Sequence, residues 1–378
     1  MPEALKAQAS SNRVSFATRV VRWQETHGRN DLPWQNTRDA YRVWLSEIML
    51  QQTQVATVRD YFARFLARFP DVRALAAASE DEVLGLWSGL GYYSRARNLH
   101  RCAIEVVQQF GGDFPRDAST LQTLPGIGRS TAAAIASLCF GAREAILDGN
   151  VKRVLTRHLG FAQDLAQSAH ERALWVQAQQ LLPVRDLQRA MPRYTQGLMD
   201  LGATVCLPSR PQCLLCPVAS DCAARAQGRP QDYPVKTRKL RRSAQSLWLL
   251  LALRDDGAVW LHKRDPRGIW AGLFCVPVFD SAEAFEAALA SALGARRNTP
   301  DAHKVRIDDL SVTVHALTHK DLHLHPRRWQ LNANEAHAFS CQTDIAGAWH
   351  AADTWPQLGL PAPVRRLLEA HAARSALP

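Results

Sequence analysis

At 378 residues the chain is long enough for two domains, each with a core of its own. A formal net charge of +11 favours a polyanionic partner, a statement about association and not about fold. No apolar run approaches the roughly 18 residues of a membrane span, and the N-terminal MPEALKAQASSNR lacks a signal-like apolar core, so a cytoplasmic protein without membrane contact is expected.

From Val14 to Leu201 the pattern is helical almost throughout. Tyr41, Trp44, Leu45, Ile48 and Met49 recur at the spacing of one buried helix face. Glu47 shares a polar stripe of that helix with Gln51 and Gln54: either a solvated face or a carboxylate aimed at a ligand. Further helices are expected at 57–68, 79–86, 94–110, 118–123, 130–140, 151–159, 170–182 and 191–201. Between two of them, Trp87-Ser88-Gly89-Leu90-Gly91-Tyr92-Tyr93 is a glycine-rich turn whose tyrosines either wedge into a base stack or pack back on the core.

Leu124-Pro125-Gly126-Ile127-Gly128 opens directly into the helix that begins near Ser130. Free N–H groups and a positive dipole end there make an anion cradle, with glycines that let a phosphate approach the backbone; an ordinary helix–helix turn is the alternative. Downstream, Leu147-Asp148-Gly149-Asn150 places a carboxylate where the next helix starts, as an N-cap or as a functional acid.

Of the eight cysteines, Cys206, Cys213, Cys216 and Cys222 fall within seventeen residues at spacing C-x6-C-x2-C-x5-C, and the others are scattered among apolar neighbours. That usage fits a reducing compartment with one metal site better than a disulfide framework, and the spacing alone allows zinc or an iron-sulfur cluster. Within the first interval, Arg210 on a stiff loop would suit a phosphate contact. Composition then shifts: residues 227–245 contain Pro230, Pro234 and the run Lys236-Thr237-Arg238-Lys239-Leu240-Arg241-Arg242, read as an exposed basic connector. Strands are expected at 247–253 and 259–263 around an Asp-Asp-Gly turn, a helix at 282–293, strands near 310–317 and 327–331, and a terminal helix at 363–374, which together make an α+β domain. His323 and His325 read as one face of a strand or loop in preference to a metal site.

Taken together, the PGIG turn, the LDGN carboxylate and the cysteine cluster in that order resemble the helix-hairpin-helix, Gly/Pro-rich, aspartate superfamily of DNA glycosylases. LPW at 32–34, VWLSEIMLQQTQVATV at 43–58, GLGYYSRARNLH at 89–100 and ILDGNVKRVL at 146–155 are similar to its adenine-specific branch. The resemblance implies a mostly α-helical glycosylase domain at 1–226 with a [4Fe-4S] cluster loop at 206–222. It further implies a linker at 227–245 and a Nudix-like α+β domain at 246–378 that recognises 8-oxoguanine. The implied activity is removal of adenine mispaired with 8-oxoguanine or guanine in double-stranded DNA during base excision repair, by a monomer.

Residue by residue, the resemblance assigns Glu47 as the acid that protonates adenine, Asp148 as the carboxylate at the anomeric carbon and Asn150 as its polar assistant. Burial against apolar neighbours would raise the proton affinity of Glu47, while N–H donors at a helix start would keep Asp148 charged. Trp34 and Leu50 are implied near the extruded adenine, Gln52 and Tyr92 in the base stack, Thr53 against the lesion, and Gly126, Gly128 and Ser130 at the DNA backbone. Lys152 is implied to trap abasic product adventitiously, and Cys206, Cys213, Cys216 and Cys222 to hold the cluster. Where related endonuclease III-like enzymes carry a nucleophilic lysine, this chain has Ser130, which implies base removal without strand cleavage over a bifunctional glycosylase/lyase; a non-catalytic iron-sulfur DNA-binding protein is disfavoured by Glu47 together with Asp148. Gly268 to Leu273 resembles the Nudix-like module, but residues 281–295 offer only Glu283 and Glu286 towards a metal-holding glutamate helix, so phosphohydrolysis is not expected. The family's Phe-Ser-His reading loop stands here as Leu317-Thr318-His319.

Overall fold

The computed structural model describes residues 14–237, 242–294 and 306–371. They divide into two compact units. One takes in the described residues of Met1–Ala77 and Asn98–Lys239, the other those of Ala78–Arg97 and Leu240–Pro378. Residues 238–241, which carry Arg238, Lys239 and Arg241 of the expected basic connector, lie outside the described residues, as do 372–374 of the expected terminal helix. Among the described residues no helix is long and apolar enough to cross a membrane.

In chain order the helices are α1 (Phe16–His27), α2 (Ala40–Leu50), α3 (Val55–Arg68), α4 (Val72–Ala77), α5 (Glu80–Trp87), α6 (Ser94–Phe110), α7 (Ala118–Leu121), α8 (Arg129–Phe140), α9 (Gly149–Leu159), α10 (Ser168–Gln180), α11 (Leu187–Thr204) and α12 (Ala223–Ala226). α4 was not expected: six residues of Val-Arg-Ala-Leu-Ala-Ala are too few to present a periodicity, and burial of Val72 and Leu75 holds them in place. α2 forms because Asp39 caps it, accepting from the backbone N–H groups of Tyr41 at 2.9 Å and Arg42 at 3.3 Å, and because its aromatic and aliphatic face is buried. α8 and α9 end at Gly141 and Gly160, both left-handed, a conformation that costs glycine no steric penalty.

The alanines of α8 are buried, and their small side chains let it pack closely against α2 and α11. Phe16 and Val20 of α1, Leu147, Val151 and Leu155 around α9, and Tyr194, Leu198 and Leu201 of α11 share one core. α11 crosses α9 at Gly202, where an added Cβ would stand 2.6 Å from the Cβ of Asn150 and 3.0 Å from its carbonyl oxygen. This crossing sets the position of the first turn of α9.

Among the described residues the second unit is built on one sheet of eight strands: β1 (Ser243–Arg254), β2 (Val259–Lys263), β3 (Phe274–Cys275), β4 (Val278–Phe279), β5 (Arg306–Asp309), β6 (Thr313–Ala316), β7 (Lys320–Leu331) and β8 (Ala348–His350). Its spine runs β3-β2-β1-β7-β5, with β4 on β1, β6 on β7 and β8 on β2. β1 and β7 pair in parallel along twelve residues, from Ser243 opposite Lys320 to Arg254 opposite Leu331. Alternate leucines of β1 feed two cores. Leu247, Leu249, Leu251 and Leu253 pack with Leu322 and Leu324, whereas Leu250 and Ala252 pack with Trp260, Phe285 and Trp329. Helices α13 (Ala282–Gly294), α14 (Ala333–Gln342) and α15 (Ala362–His371) complete the unit. β7 begins seven residues earlier than the expected strand at 327–331, and His323 and His325 alternate along it with buried Leu322 and Leu324.

Gly202→Ala should lower stability by about 1–3 kcal/mol in urea denaturation, because the added methyl group pushes on backbone that cannot yield cheaply. Equal or higher stability would mean that α11 does not press on α9 at this point.

Candidate active site

A cleft of about 1320 Å³ opens on the helical unit, and both Glu47 and Asp148 line it. Glu47 reaches it from α2, which ends at Leu50, so Gln51 and Gln54, expected on the same helical stripe, lie beyond that helix and line the cleft from the following turn. Burial, first, and the charge of Asp148, second, push its carboxyl up to about 7. Asp148 is the N-cap of α9, where its side chain accepts from the Val151 N–H at 2.7 Å. N–H groups of Val151 and Asn150 and the cations Arg153 and Lys152 favour its ionised form, yet burial outweighs them and its carboxyl also lies above the usual range. Burial thus opposes the helix-start donors that were expected to keep Asp148 charged. The donors and cations decide order instead: with two carboxyls in one cleft, Asp148 is the better placed to carry the charge and Glu47 the proton.

The turn before α8 separates its two glycines. Gly126 has φ +77°, and a Cβ there would lie 2.8 Å from that of Asn98. Gly128 caps α8 with an ordinary extended backbone and open space in front of it, so only Gly126 is required to be glycine. Ser130 lines the cleft, and its hydroxyl accepts from the Leu147 N–H at 3.0 Å, which ties the start of α8 to the residue before Asp148.

Trp34, Leu50, Gln52, Thr53 and Asn150 all line the same cleft. Trp34 is buried edge-on against Phe62, with ring centroids 5.3 Å apart. Gln52 is exposed and left-handed at φ +58°, a strained conformation of the kind that collects at functional sites. The Asn150 amide oxygen accepts from Arg153 at 2.8 Å. Lys152 turns elsewhere: its ammonium is 2.6 Å from Glu171, and it does not line the cleft.

Tyr92, Thr318 and His319 belong to the other unit. Tyr92 is left-handed at φ +48° and 45% exposed, so its ring does not pack back on a core. Its hydroxyl lies 3.1 Å from that of Thr318, and the Arg95 guanidinium sits 5.3 Å from its ring centroid. The His319 carbonyl accepts from the Ser243 N–H at 3.1 Å, while its side chain is exposed.

Cys206, Cys213, Cys216 and Cys222 line one small cavity of about 30 Å³ and form no disulfides. Burial pushes the Cys216 thiol up to about 12 and raises that of Cys222. Among the described residues no three His, Cys, Asp or Glu side chains stand close enough to hold a single metal ion. Arg210 on the same loop is exposed and left-handed at φ +53°.

Sequence reading missed the arginines that brace the site. Arg153 donates to Asn150, to the Gly202 carbonyl at 2.7 Å and to the Cys206 carbonyl at 2.7 Å. One turn on, Arg157 is 2% exposed and reaches the carbonyls of Leu207 and Pro208 and the Cys206 sulfur at 3.3 Å. Arg29 pairs with fully buried Asp200 at 2.7 Å, and Arg193 donates to Gln24 and Asn30. The i, i+4 spacing of Arg153 and Arg157 beside Val154 and Leu155 was the available signal.

Residues 45–180 match the model of the HhH-GPD superfamily of base excision DNA repair proteins, and residues 248–370 match a NUDIX domain. The chain is similar to the adenine DNA glycosylase of Buchnera aphidicola subsp. Acyrthosiphon pisum, 34% identical over 357 residues that cover 94% of this chain and 97% of that one. It is 48% identical to the adenine DNA glycosylase of Mus musculus over 221 residues, 56% of this chain and 42% of the mouse protein. Among solved structures, a thermostable thymine-DNA glycosylase matches at TM-score 0.50 and 27% identity, over 60% of this chain and 100% of its own.

With its carboxyl raised from 4.5 to about 7, Glu47 contributes stability that is fully present below pH 4.5 and lost as pH rises through 7. Glu47→Gln should therefore match the parent protein in stability at pH 4 and exceed it at pH 8, by roughly 1–3 kcal/mol at about 1.4 kcal/mol per unit. Equal stabilities at pH 8 would show that the buried carboxyl is not strained by ionisation.

Proposed function

The chain belongs to the adenine DNA glycosylase family, and from that premise we propose that it removes adenine mispaired with 8-oxoguanine or guanine from double-stranded DNA, by acid-assisted hydrolysis and without cutting the strand. That it is an enzyme, an N-glycosyl hydrolase of base excision repair that binds DNA, follows from the family. The finer reading is supported above all by one observation: a glutamic acid held near neutrality, sharing a cleft with a carboxylate that has donors of its own.

Adenine leaves poorly until protonated, and its departure creates positive charge at the anomeric carbon, so one acid must be neutral and the other ionised. In this reading Glu47 gives its proton to N7 of the extruded adenine, and ionised Asp148 stabilises the oxocarbenium-like sugar. Asn150, oriented by Arg153, assists beside it, and water completes the hydrolysis. Base extrusion costs a few kcal/mol. Gln52 and Tyr92 would offset that cost by insertion into the stack, and Gly126, Gly128 and Ser130 by contact with the backbone. Trp34 and Leu50 would flank the extruded base, and Thr53, Thr318 and His319 would face the lesion.

Ser130 has no amine, and Lys152 is paired with Glu171, so neither favours a Schiff base. Functionally we assign glycosylase chemistry to 1–226, a basic connector to 227–245 and lesion reading to 246–378, in a monomer that works on chromosomal DNA in the cytoplasm. Cys206, Cys213, Cys216 and Cys222 would hold a [4Fe-4S] cluster. Four unbridged thiols around one cavity suit that donor set. Bound there, the cluster would supply cross-linking of the 206–222 loop, on which Arg153 and Arg157 rest.

On a duplex with A·8-oxoguanine, base release should expose a strand break only after alkali, and Glu47→Gln should bind the duplex while losing at least about 10²-fold in release rate. Strand cleavage without alkali that survives Lys152→Ala would contradict the monofunctional reading, and full turnover by Glu47→Gln would remove its assignment as the acid.

A further inference from the structure

The turn from Ser88 to Tyr93, which carries Tyr92, is fastened to the C-terminal segment of its own unit. The Tyr93 hydroxyl donates to the Leu360 carbonyl at 2.7 Å, and the Ser88 hydroxyl donates to the same carbonyl at 3.3 Å. Both ends of the turn thus meet on one acceptor. Ser88 is itself held, since its oxygen accepts from Nε of Arg365 in α15 at 3.0 Å. The other two guanidinium nitrogens reach the carbonyls of Pro356 at 2.9 Å and Leu358 at 2.8 Å, and Glu369 lies 3.9 Å away.

A single planar cation therefore ties the turn to the Trp355–Gln357 helical turn and to the residue that follows it, with donors whose mutual geometry is rigid. Its side chain is only 19% exposed, so these bonds compete little with water. At the far side of the turn Tyr92 projects in a left-handed conformation, an arrangement that persists only where the surroundings impose it. The Thr318 hydroxyl, 3.1 Å from that of Tyr92, is the other point of reference.

We propose that Arg365 is a positioning residue for Tyr92: by ordering Ser88 and the Leu360 carbonyl it fixes the direction in which the Tyr92 ring and the Thr318 hydroxyl are presented, and so sets discrimination between 8-oxoguanine and guanine opposite adenine. The specificity half rests on the proposed function, in which Tyr92 enters the stack and Thr318 faces the lesion. The positioning half rests on geometry alone. Arg365 touches no substrate in this scheme; it acts through Ser88.

The test compares the full chain with Arg365→Ala, Arg365→Lys, Tyr92→Ala and the Arg365→Ala/Tyr92→Ala pair, measuring single-turnover adenine release from duplexes with 8-oxoguanine or guanine opposite. Arg365→Ala should cut the ratio of the two rates on the order of tenfold, the worth of one charge-assisted hydrogen bond. Arg365→Lys should lose less, because an ammonium serves some but not all of the acceptors. In the double variant the Arg365 change should add less than about twofold to Tyr92→Ala, as expected of residues that act as a unit.

Hydrogen exchange on the free protein is the second readout. Amides 89–93 should exchange faster in Arg365→Ala, while those of Leu322 and Leu324 in β7 stay protected. An unchanged ratio, independent effects of the two substitutions, or unchanged exchange at 89–93 overturns the proposal. If Arg365→Ala also exposes β7, Arg365→Lys with intact β7 protection decides by the same two readouts. A parent protein without preference for 8-oxoguanine would sink the proposed function, and exchange at 89–93 would still settle whether Arg365 holds the turn.

Discussion

Two carboxylates in one partly dehydrated cleft cannot both be ionised cheaply, and the helical unit is arranged around which of them keeps the proton. Glu47 has burial and a neighbouring negative charge acting on it, both of which favour the neutral acid. Asp148 experiences the same burial, but it sits at a helix start with N–H donors and two cations against it. The asymmetry comes from position in secondary structure: one carboxyl lies mid-helix on α2, the other caps α9. In water the two groups would titrate within a unit of each other.

Maintaining that asymmetry requires the start of α9 to stay in place, and several independent contacts converge on it. Ser130 holds Leu147 from the α8 side, and Gly202 lets α11 approach within contact of Asn150. Arg153 and Arg157 stand one turn apart on α9 and grip carbonyls at Gly202, Cys206, Leu207 and Pro208. The helix that begins with Asp148 thus runs against the cysteine loop, and disturbance of that loop has a short covalent and hydrogen-bonded route to the carboxylate. Fixed donors of this kind cost nothing to reorganise when charge develops nearby.

Much of this was legible in the residues. The buried face of α2, the cap at Asp148, the turn before α8, the cysteine spacing and the change to strand periodicity after the connector each follow from local rules, because a helix face, a cap or a ligand set is written in a few neighbouring positions. The rest depends on distant partners. Nothing in Ser79 to Arg97 announces that it packs with the C-terminal unit, since its anchors, Leu360 and Arg365, lie more than 250 residues away in sequence. In β7 only 327–331 was expected as a strand, with His323 and His325 on the face of a strand or loop, whereas Leu322 and Leu324 are the buried face of its first half and β1 pairs along its whole length. Ser130 read as a DNA contact and Lys152 as an available amine; their structural partners, Leu147 and Glu171, are set by tertiary packing.

The central claim, that Glu47 is the protonated member of the pair near neutral pH, is tested most directly by a ¹³C NMR titration of side-chain carboxyls in glutamate-labelled protein, with the Glu47 signal assigned by its loss in Glu47→Gln. The Glu47 carboxyl should titrate near pH 7, and its midpoint should fall in Asp148→Asn, where the neighbouring charge is gone. A midpoint near 4.5, or one indifferent to Asp148→Asn, would contradict the account.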